Sequence, residues 1–314
     1  MPNDDEVCQQ HAERIVALDP LLPTPGPLQP AQDGRLLRAE TGSAAALALA
    51  RRSEVPADGE AALWGPLRNE ILTLRFAGTA PAEALDIVLG QWLDSIQQDS
   101  RDDWECAASV TVPSRDTDSV IPLIRHGFSP CLVVAARPHG RSTPSVVDPV
   151  AVRPATPADL DLLTEMAIRL HAHDVQFGRV SARNGGAELQ RTGTLEALAQ
   201  APGWAWLAHV DGAPAGFCLV QPPAMAGWMQ AITSVGANSG YLASLFVDPT
   251  VRGGGVGAAL AAAAHRRLDN AKVAVTTLHH AMPSPWSASF WARMGYRQLW
   301  TTWQRRPIPA AGPR

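Results

Sequence analysis

The sequence predicts an α/β protein of the α+β kind, built from two related domains. The chain has 314 residues, and a common domain has about 150, so two domains are expected. Strand patterns and helix patterns alternate along both halves. The halves also end alike, because Arg125-His126-Gly127-Phe128 and Arg293-Met294-Gly295-Tyr296 each lie between a helix pattern and a final strand pattern. This internal repeat favours two copies of one fold.

The composition argues against several classes of protein. Apolar residues make up 46% of the chain, enough for ordinary cores, and the net charge is −4 with no long basic run, so no nucleic-acid partner is expected. The acidic start, residues 1–7, is not typical of a signal peptide. No apolar run approaches the roughly 20 residues that span a membrane. The cysteines form no close pair, which predicts a reducing cytoplasm and no metal site; they are Cys8, Cys106, Cys131 and Cys218.

The first half, residues 1–140, begins with a helix pattern and a proline-rich connector. The segment 44–51 fits a strand or a short helix equally well, whereas residues 81–96 carry one apolar face and predict an amphipathic helix. The remaining predicted elements are a helix over 6–18, strands over 36–38, 71–76, 107–112 and 131–136, and a helix over 119–126. Residues 141–150 are rich in proline and serine and predict a linker.

The second half, residues 151–314, starts again with a short strand and a capped helix. Thr156 is a good helix cap and Pro157 occupies the favoured first position. Asp211-Gly212 predicts a hairpin turn. The predicted elements are strands over 150–153, 204–210, 215–221, 242–247, 273–278 and 296–304, and helices over 157–171, 187–200, 258–268 and 286–294. Residues 173–186 and 222–240 are expected to be irregular.

The stretch from Tyr241 to Leu268 is the most informative part of the chain. Its strand pattern is ended by Asp248-Pro249, because proline cannot donate to a strand ladder. A glycine-rich loop and the start of a helix follow, with the residues Arg252, Gly253, Gly254, Gly255, Val256, Gly257 and Ala258. Glycines allow a ligand to approach the backbone, and free N–H groups at a helix start form an anion site that fits a diphosphate. The guanidinium of Arg252 adds a positive charge at the rim.

Three interpretations of this loop remain to be weighed. Gly253-x-Gly255-x-x-Ala258 fits a dinucleotide-binding pattern, but His279 and His280 follow the next strand where that pattern needs an acid. A glycine-rich turn without a ligand is the plainest interpretation. The third is a resemblance: Arg252-x-x-Gly255-x-Gly257, preceded by Val247-x-Pro249, resembles the acetyl-CoA motif of the GNAT superfamily of N-acetyltransferases.

The GNAT resemblance implies an architecture for the whole chain. It implies two tandem GNAT-like domains, 1–140 and 151–314, each a central mixed, mostly antiparallel sheet flanked by helices. The first domain has Ala77-Gly78-Thr79-Ala80-Pro81 at the equivalent place, with one glycine and no arginine. We therefore expect the first domain to be degenerate and structural, and the second to bind the coenzyme.

The resemblance also implies a set of residues that contact acetyl-CoA, the co-substrate. Backbone groups of Leu245, Phe246 and Val247 would bind the pantetheine arm and polarise the thioester. A second family pattern is present as Ser284-x-x-Ser287-x-x-Phe290-Trp291, followed by Gly295-Tyr296. Ser284 replaces an asparagine that touches the coenzyme in the family, and Trp291 replaces a tyrosine that protonates the leaving thiolate. A thiol with a pKa near 8.5 can leave as the thiolate without that acid, at some loss of rate.

The base that deprotonates the amine is not fixed by the motifs. Family members often have a glutamate on the strand that here offers Tyr241 and Ser244. Histidine has a pKa suited to base chemistry near neutral pH. The candidates are Tyr241, Ser244 and His279, with Asp174, His171, His173 and His280 as substitutes, or a water relay to solvent.

These observations predict a cytoplasmic, acetyl-CoA-dependent N-acetyltransferase. The expected acceptor is a small-molecule amine, and a protein N-terminus or lysine is the next possibility. A non-catalytic acyl-CoA-binding sensor is the alternative, and a structural pairing protein that has lost both sites is a third. A membrane partner is not expected, and a homodimer stays open. Some of the tryptophans crowded into the second half could line a pocket for an apolar or cationic acceptor.

Overall fold

The structure, a computed structural model, describes residues 2–29, 34–96, 103–143 and 150–308. Most of the predicted linker, 141–150, lies outside these residues. The chain forms two compact units. Unit 1 comprises Met1–Ala57, Trp64–Val133 and Leu299–Arg314, and unit 2 comprises Asp58–Leu63 and Val134–Gln298.

Unit 1 is a mixed sheet with helices. Its strands are β1 (Arg35–Thr41), β2 (Ala44–Glu54), β3 (Arg68–Gly78), β4 (Cys106–Pro113), the start of β5 (Ser129–Pro138) and most of β11 (Arg297–Arg305). Its helices are α1 (Asp4–Leu18), α2 (Pro81–Ile96) and α3 (Val120–Arg125). The order is β1-β2-β3-β4-β11, with β3–β4 parallel and the other pairs antiparallel. The ambiguous segment 44–51 is therefore a strand.

The core of unit 1 forms around the apolar face of α2. Leu85, Leu89 and Trp92 are at most 1% exposed and pack against alternate residues of the sheet, including Leu72 and Val110. Burial of each large side chain contributes about 1.5–3 kcal/mol. The predicted amphipathic helix over 81–96 is confirmed with the same bounds.

Unit 2 repeats the arrangement. Its strands are the end of β5, β6 (Ala151–Pro154), β7 (Ala205–Val210), β8 (Ala213–Gln221), β9 (Ser239–Val247) and β10 (Val275–Ala281). Its helices are α4 (Leu160–Asp174), α5 (Gly186–Gln200), α6 (Val256–Asn270) and α7 (Ser287–Arg293). The order is β6-β7-β8-β9-β10, with the end of β5 beside β10. Only β9–β10 is parallel among the printed pairs of this sheet, so the predicted mixed, mostly antiparallel architecture is confirmed.

Two layers of helix position the site of unit 2. Leu163 and Met166 of α4 and Leu198 of α5 pack with Phe217 and Phe246 of the sheet. Helix α6 is rich in alanine, a strong helix former, and its buried alanines allow close approach to the strands. This packing fixes the ends of β9 and α6, between which the glycine loop runs.

Several predicted boundaries differ from the structure. Helix α4 extends to Asp174, so His173 and Asp174 are helical and not irregular. Strand β10 extends to Ala281, so His279 and His280 lie within the strand and not after it. Both differences arise because polar residues near an element's end still satisfy its backbone ladder, which sequence periodicity does not detect.

The compact units are discontinuous, whereas the sequence predicts the continuous domains 1–140 and 151–314. The difference comes mainly from two strands. The chain's last strand pairs with β4 of unit 1, with Thr301 opposite Val112. Residues 134–138 of β5 belong to unit 2. A sequence repeat reports the order of elements but not which sheet a terminal strand joins.

Within the residues that the structure describes, no helix is both long and apolar enough to cross a membrane.

Candidate active site

The glycine loop of unit 2 is open where a ligand would approach. Gly253 and Gly255 both have φ +85°, a left-handed conformation that favours glycine, and a Cβ at either position would meet no atom within 4 Å. Asp248 caps the turn before the loop by accepting from the Thr250 N–H at 2.9 Å. The first residues of an α-helix have N–H groups without helical partners, and α6 starts at Val256, immediately after the loop. The loop is therefore an open anion site.

Gly257 has a different role from Gly253 and Gly255. A Cβ on Gly257 would come within 3.2 Å of the Phe290 ring. The glycine thus lets the first turn of α6 pack on Phe290 of α7. This contact ties the second predicted coenzyme pattern to the loop.

Strands β9 and β10 diverge beside the loop. Their parallel pairing covers three registers and ends at Tyr241 opposite Thr277. The backbone of the rest of β9, which includes the predicted contacts Leu245, Phe246 and Val247, is not paired with β10. Free backbone groups along one side of a strand can bind an amide-bearing chain as another strand would. The divergence therefore forms a slot that leads to the glycine loop.

Tyr241 and His279 meet where the strands diverge. The Tyr241 hydroxyl lies 3.0 Å from Nδ1 of His279. Burial lowers the pKa of His279 to about 4, and the positive charges of Arg179 and His280 lower it further. Burial raises the pKa of the Tyr241 phenol. His279 is thus a neutral imidazole near pH 7, and Nδ1 can accept the hydroxyl proton when its own proton is on Nε2.

Trp228 covers this pair from the loop between β8 and β9. Its ring is nearly parallel to His279, at 6.1 Å and 7°, and meets Tyr241 edge-on at 4.8 Å. Its Nε1 donates to Oε1 of Gln221 at 3.0 Å. The segment 222–240 contains no motif, so sequence reasoning missed this residue. The only signal was one tryptophan in a glycine-containing loop.

Arg252 lies at the rim of the loop, as predicted. Its Nε donates to the Val247 carbonyl oxygen at 3.3 Å, and its guanidinium lies 5.3 Å from the ring centroid of Trp286. His173 stacks on the same Trp286 ring at 6.0 Å. Burial, followed by the charge of Arg252, lowers the pKa of His173. The end of α4 is thereby linked to the anion site.

The remaining base candidates lie in different surroundings. Ser244 sits opposite Leu219 of β8, three residues beyond Tyr241. His171 is directed to the Leu63 carbonyl oxygen at 3.2 Å, and His280 to the Ala281 carbonyl oxygen at 3.2 Å. Burial raises the pKa of Asp174 to about 6. Of the predicted candidates, the structure joins only Tyr241 and His279 by a hydrogen bond.

The second coenzyme pattern forms the start of α7. The hydroxyls of Ser284 and Ser287 lie 2.7 Å apart, and the Ser287 N–H also points to Ser284 Oγ at 3.4 Å. Trp291 is 8% exposed and packs edge-on against Phe290 and Tyr296. Trp291 is therefore part of a buried aromatic cluster next to the ring that supports Gly257.

Arg169 of α4 is a second cation near the end of β9 that sequence reasoning missed. Its Nη2 donates to Asp248 at 2.7 Å, and its guanidinium lies 5.0 Å from the Phe246 ring centroid. Hydrogen bonds from Thr250 and Arg169 lower the pKa of Asp248 to about 2. Arg169 thus balances a carboxylate that precedes the anion site. No motif signals such a pair, since its members lie 79 residues apart.

The equivalent region of unit 1 is closed. A Cβ on Gly78 would overlap the carbonyl oxygen of Ser43, and α2 begins with Pro81, which has no N–H. Strands β3 and β4 are parallel and their pairing ends at Leu72, as β9 and β10 diverge in unit 2. Beyond that point the Phe76 N–H donates to Nδ1 of His11 at 3.3 Å. These contacts fill the place that is open in unit 2.

Among the described residues, no group of three or more His, Cys, Asp or Glu side chains could hold a metal ion.

Comparison with known proteins agrees with this geometry. A family model described as an acetyltransferase (GNAT) domain matches residues 202–298. No curated protein matches the chain. A GCN5-related N-acetyltransferase from Sphaerobacter thermophilus has a similar fold, with a TM-score of 0.56, 16% identity, and coverage of 86% of this chain and 82% of that chain.

Two further solved structures are less similar. A GCN5-related N-acetyltransferase from Kribbella flavida has a TM-score of 0.42 and 11% identity over 97% of this chain and 96% of that one. A tandem GNAT protein from the clavulanic acid biosynthesis pathway has a TM-score of 0.39 and 14% identity over 99% and 97%. TM-scores this low support no conclusion about this chain.

Residues 202–298 form a GNAT acetyltransferase domain. This family carries out acyl transfer from acetyl-CoA, and the residues present fit that co-substrate. The open loop at Gly253 and Gly255 can receive its diphosphate, and the unpaired side of β9 can receive its amide-bearing arm. The dinucleotide interpretation is not supported, because the next strand ends in His279, His280 and Ala281, with no acid.

Proposed function

We propose that unit 2 is an N-acetyltransferase that moves an acetyl group from acetyl-CoA directly to the amine of a small molecule. The observation that carries the proposal is the divergence of β9 from β10 at Tyr241, which opens a slot between the glycine loop and the Tyr241–His279 pair. Acetyl-CoA supplies an acetyl thioester, whose acyl carbon the amine attacks.

The chain's own groups supply binding and proton transfer. The N–H groups at the start of α6 and the guanidinium of Arg252 bind negative charge. A backbone N–H of β9 near Leu245 donates to the thioester oxygen, as an oxyanion donor does. The Tyr241 hydroxyl accepts a hydrogen bond from the amine while it donates its own proton to Nδ1 of His279.

The experiment measures free thiol released from acetyl-CoA against a broad panel of small amines, with mass spectrometry of the acetylated product. Gly255→Ala places a methyl group in the anion site and should abolish turnover. Gly212→Ala is the matched control, because Gly212 has φ +78° and open surroundings but lies in the β7–β8 turn. Turnover that survives Gly255→Ala as well as Gly212→Ala would contradict the proposed site.

A non-catalytic acyl-CoA sensor is the second candidate. It is favoured by Trp291 at the place of the family's tyrosine and by the absence of a glutamate from β9, residues 239–247. A sensor would bind acetyl-CoA in calorimetry but release no thiol with any amine. A protein N-terminus or lysine as acceptor would instead show turnover with peptides and none with small amines.

The proposal extends to the rest of the chain. We propose that unit 1 has a structural role and binds no coenzyme, which the overlap at Gly78 supports. A cytoplasmic location is supported by the four free cysteines, since unpaired thiols are typical of reducing compartments. A homodimer is also compatible with the proposal; light scattering would test it.

A further inference from the structure

Three rings form one surface at the proposed site of chemistry. Trp228 is 57% exposed, although its ring also meets His279 and Tyr241. Tyr241 and His279 meet edge-on at 5.6 Å. The three rings therefore present a joint aromatic surface beside the slot between β9 and β10. The chemistry of the proposed enzyme does not require the indole.

The orientation of Trp228 is fixed from two sides. Its Nε1 bonds to Gln221 at the end of β8, and its ring stacks on His279 of β10. Exposed tryptophans that only fill surface space need no such anchoring. A rigid aromatic platform binds a flat ring at little cost in side-chain entropy, because its rotamer is already selected.

The charges around the platform decide which kind of ligand it suits. Exposed indole rings bind either cations or flat apolar groups. His279 is neutral, and the positive charge of Arg179 is close enough to lower its pKa. The same charge repels a permanent cation. A neutral planar ring meets no such penalty and stacks on the indole face.

We propose that the acceptor is a primary amine attached to an aromatic ring, with the ring stacked on Trp228 and the amine directed to the Tyr241 hydroxyl. This inference rests on the proposed function, since it names the substrate class of the same site. The stacking energy of an aromatic pair corresponds to about a three- to tenfold change in affinity.

The test compares 2-phenylethylamine with 2-cyclohexylethylamine, which differ in ring planarity but little in size. In the intact protein, kcat/KM should favour the aromatic amine by about three- to tenfold. Trp228→Ala should remove this preference and raise KM for the aromatic amine. Trp104→Ala is the matched control, because Trp104 is 61% exposed but lies in unit 1. A cationic probe, 2-(trimethylammonio)ethylamine, should be a poor acceptor in both variants.

The outcomes separate the inference from the proposed function. Turnover without an aromatic preference, or with one that Trp228→Ala leaves intact, overturns the inference and leaves the function standing. A preference for the cationic probe also overturns it. If no amine is acetylated, calorimetry with 2-phenylethylamine and coenzyme A decides: binding that depends on Trp228 supports the aromatic ligand, and its absence overturns it.

Discussion

The backbone N–H of Phe76 donates a hydrogen bond to Nδ1 of the buried His11. Phe76 lies on β3 beyond the point at which β3 and β4 separate, so its N–H is one that a ligand could otherwise accept from. Burial lowers the pKa of His11 to about 3, with further contributions from the charges of Arg75 and Arg14. The imidazole is therefore neutral and available as an acceptor. Unit 1 satisfies within the protein a group that unit 2 leaves open.

The intact protein should bind one coenzyme A per chain. Gly253 and Gly255 are open in unit 2, whereas Gly78 is overlapped by Ser43 in unit 1. Isothermal titration calorimetry should give a stoichiometry of one. Gly255→Ala should lower the affinity at least tenfold, because its methyl group meets the diphosphate and the residue is strained at φ +85°. Two equal sites, or one site unaffected by Gly255→Ala, would be incompatible with this assignment.

The ion pair between Arg169 and Asp248 should support coenzyme binding indirectly. Arg169→Ala leaves the Asp248 carboxylate unbalanced close to the anion site, and affinity for coenzyme A should fall about three- to tenfold, a size that ordinary exposed ion pairs reach. The double variant Arg169→Ala, Asp248→Asn should recover most of this loss, since asparagine still accepts from Thr250. A double variant as weak as the single one would instead assign Arg169 to direct contact.

Much of this site was predictable because it is local in sequence. The glycine loop, the strand before it and the helix after it lie within residues 239–270, and each has its own chemical signature. The prediction of His279 also succeeded in placing it near Tyr241, since neighbouring parallel strands bring their corresponding residues together. The assignment of catalytic roles stays a prediction.

The parts that could not be predicted depend on tertiary contacts. The sequence places His265 among cations near the end of α6, but its side chain is buried between Thr143 and Tyr296. Trp228 and Arg169 reach the site from a loop and a helix without any motif. The place of β11 in unit 1 depends on pairing with β4 across almost two hundred residues of chain. Local patterns do not encode such pairings.

Tyr241→Phe should slow acetyl transfer while leaving coenzyme binding unchanged. The variant keeps the ring contacts with Trp228 but loses the hydroxyl that bonds to His279. A positioned acid–base group contributes on the order of 10²-fold or more, so kcat should fall by about that factor. The dissociation constant for coenzyme A serves as the internal control. An unchanged kcat would exclude the Tyr241–His279 pair from proton transfer and turn attention to Asp174.

Acid should destabilise the fold through buried histidines. Burial lowers the pKa of His265 to about 3 from its ordinary 6.5, and the charge of Arg137 lowers it further. The unfolded state therefore binds more protons below pH 6.5, so the stability contributed by the neutral imidazole is lost as pH falls from 6.5 towards 3. At pH 5 this loss is about 2 kcal/mol. Urea denaturation at pH 7.5 and pH 5 measures it.

Two variants distinguish titration of His265 from loss of its hydrogen bonds. His265→Gln should lower stability at pH 7.5 but narrow the difference between the two pH values by about 2 kcal/mol. Thr143→Val removes the hydroxyl 2.8 Å from Nδ1 and keeps the imidazole, so it should preserve most of the pH difference. An undiminished pH difference in His265→Gln would show that other groups cause the acid sensitivity.

Trp291→Tyr should hold or raise turnover if the thiolate of the parent enzyme leaves unprotonated. Trp291 occupies the family position of a proton-donating tyrosine and packs on Phe290, whose ring supports the first turn of α6. A phenol at this position could donate a proton, with a gain on the order of 10²-fold at most. Thiol release by both forms, measured against one amine panel, decides between the possibilities. If neither form releases thiol although both bind acetyl-CoA, the protein is a sensor. Turnover that collapses in Trp291→Tyr while coenzyme affinity persists would mean that the indole is needed for the acceptor, because the tyrosine would then have supplied an acid without compensating for the lost ring.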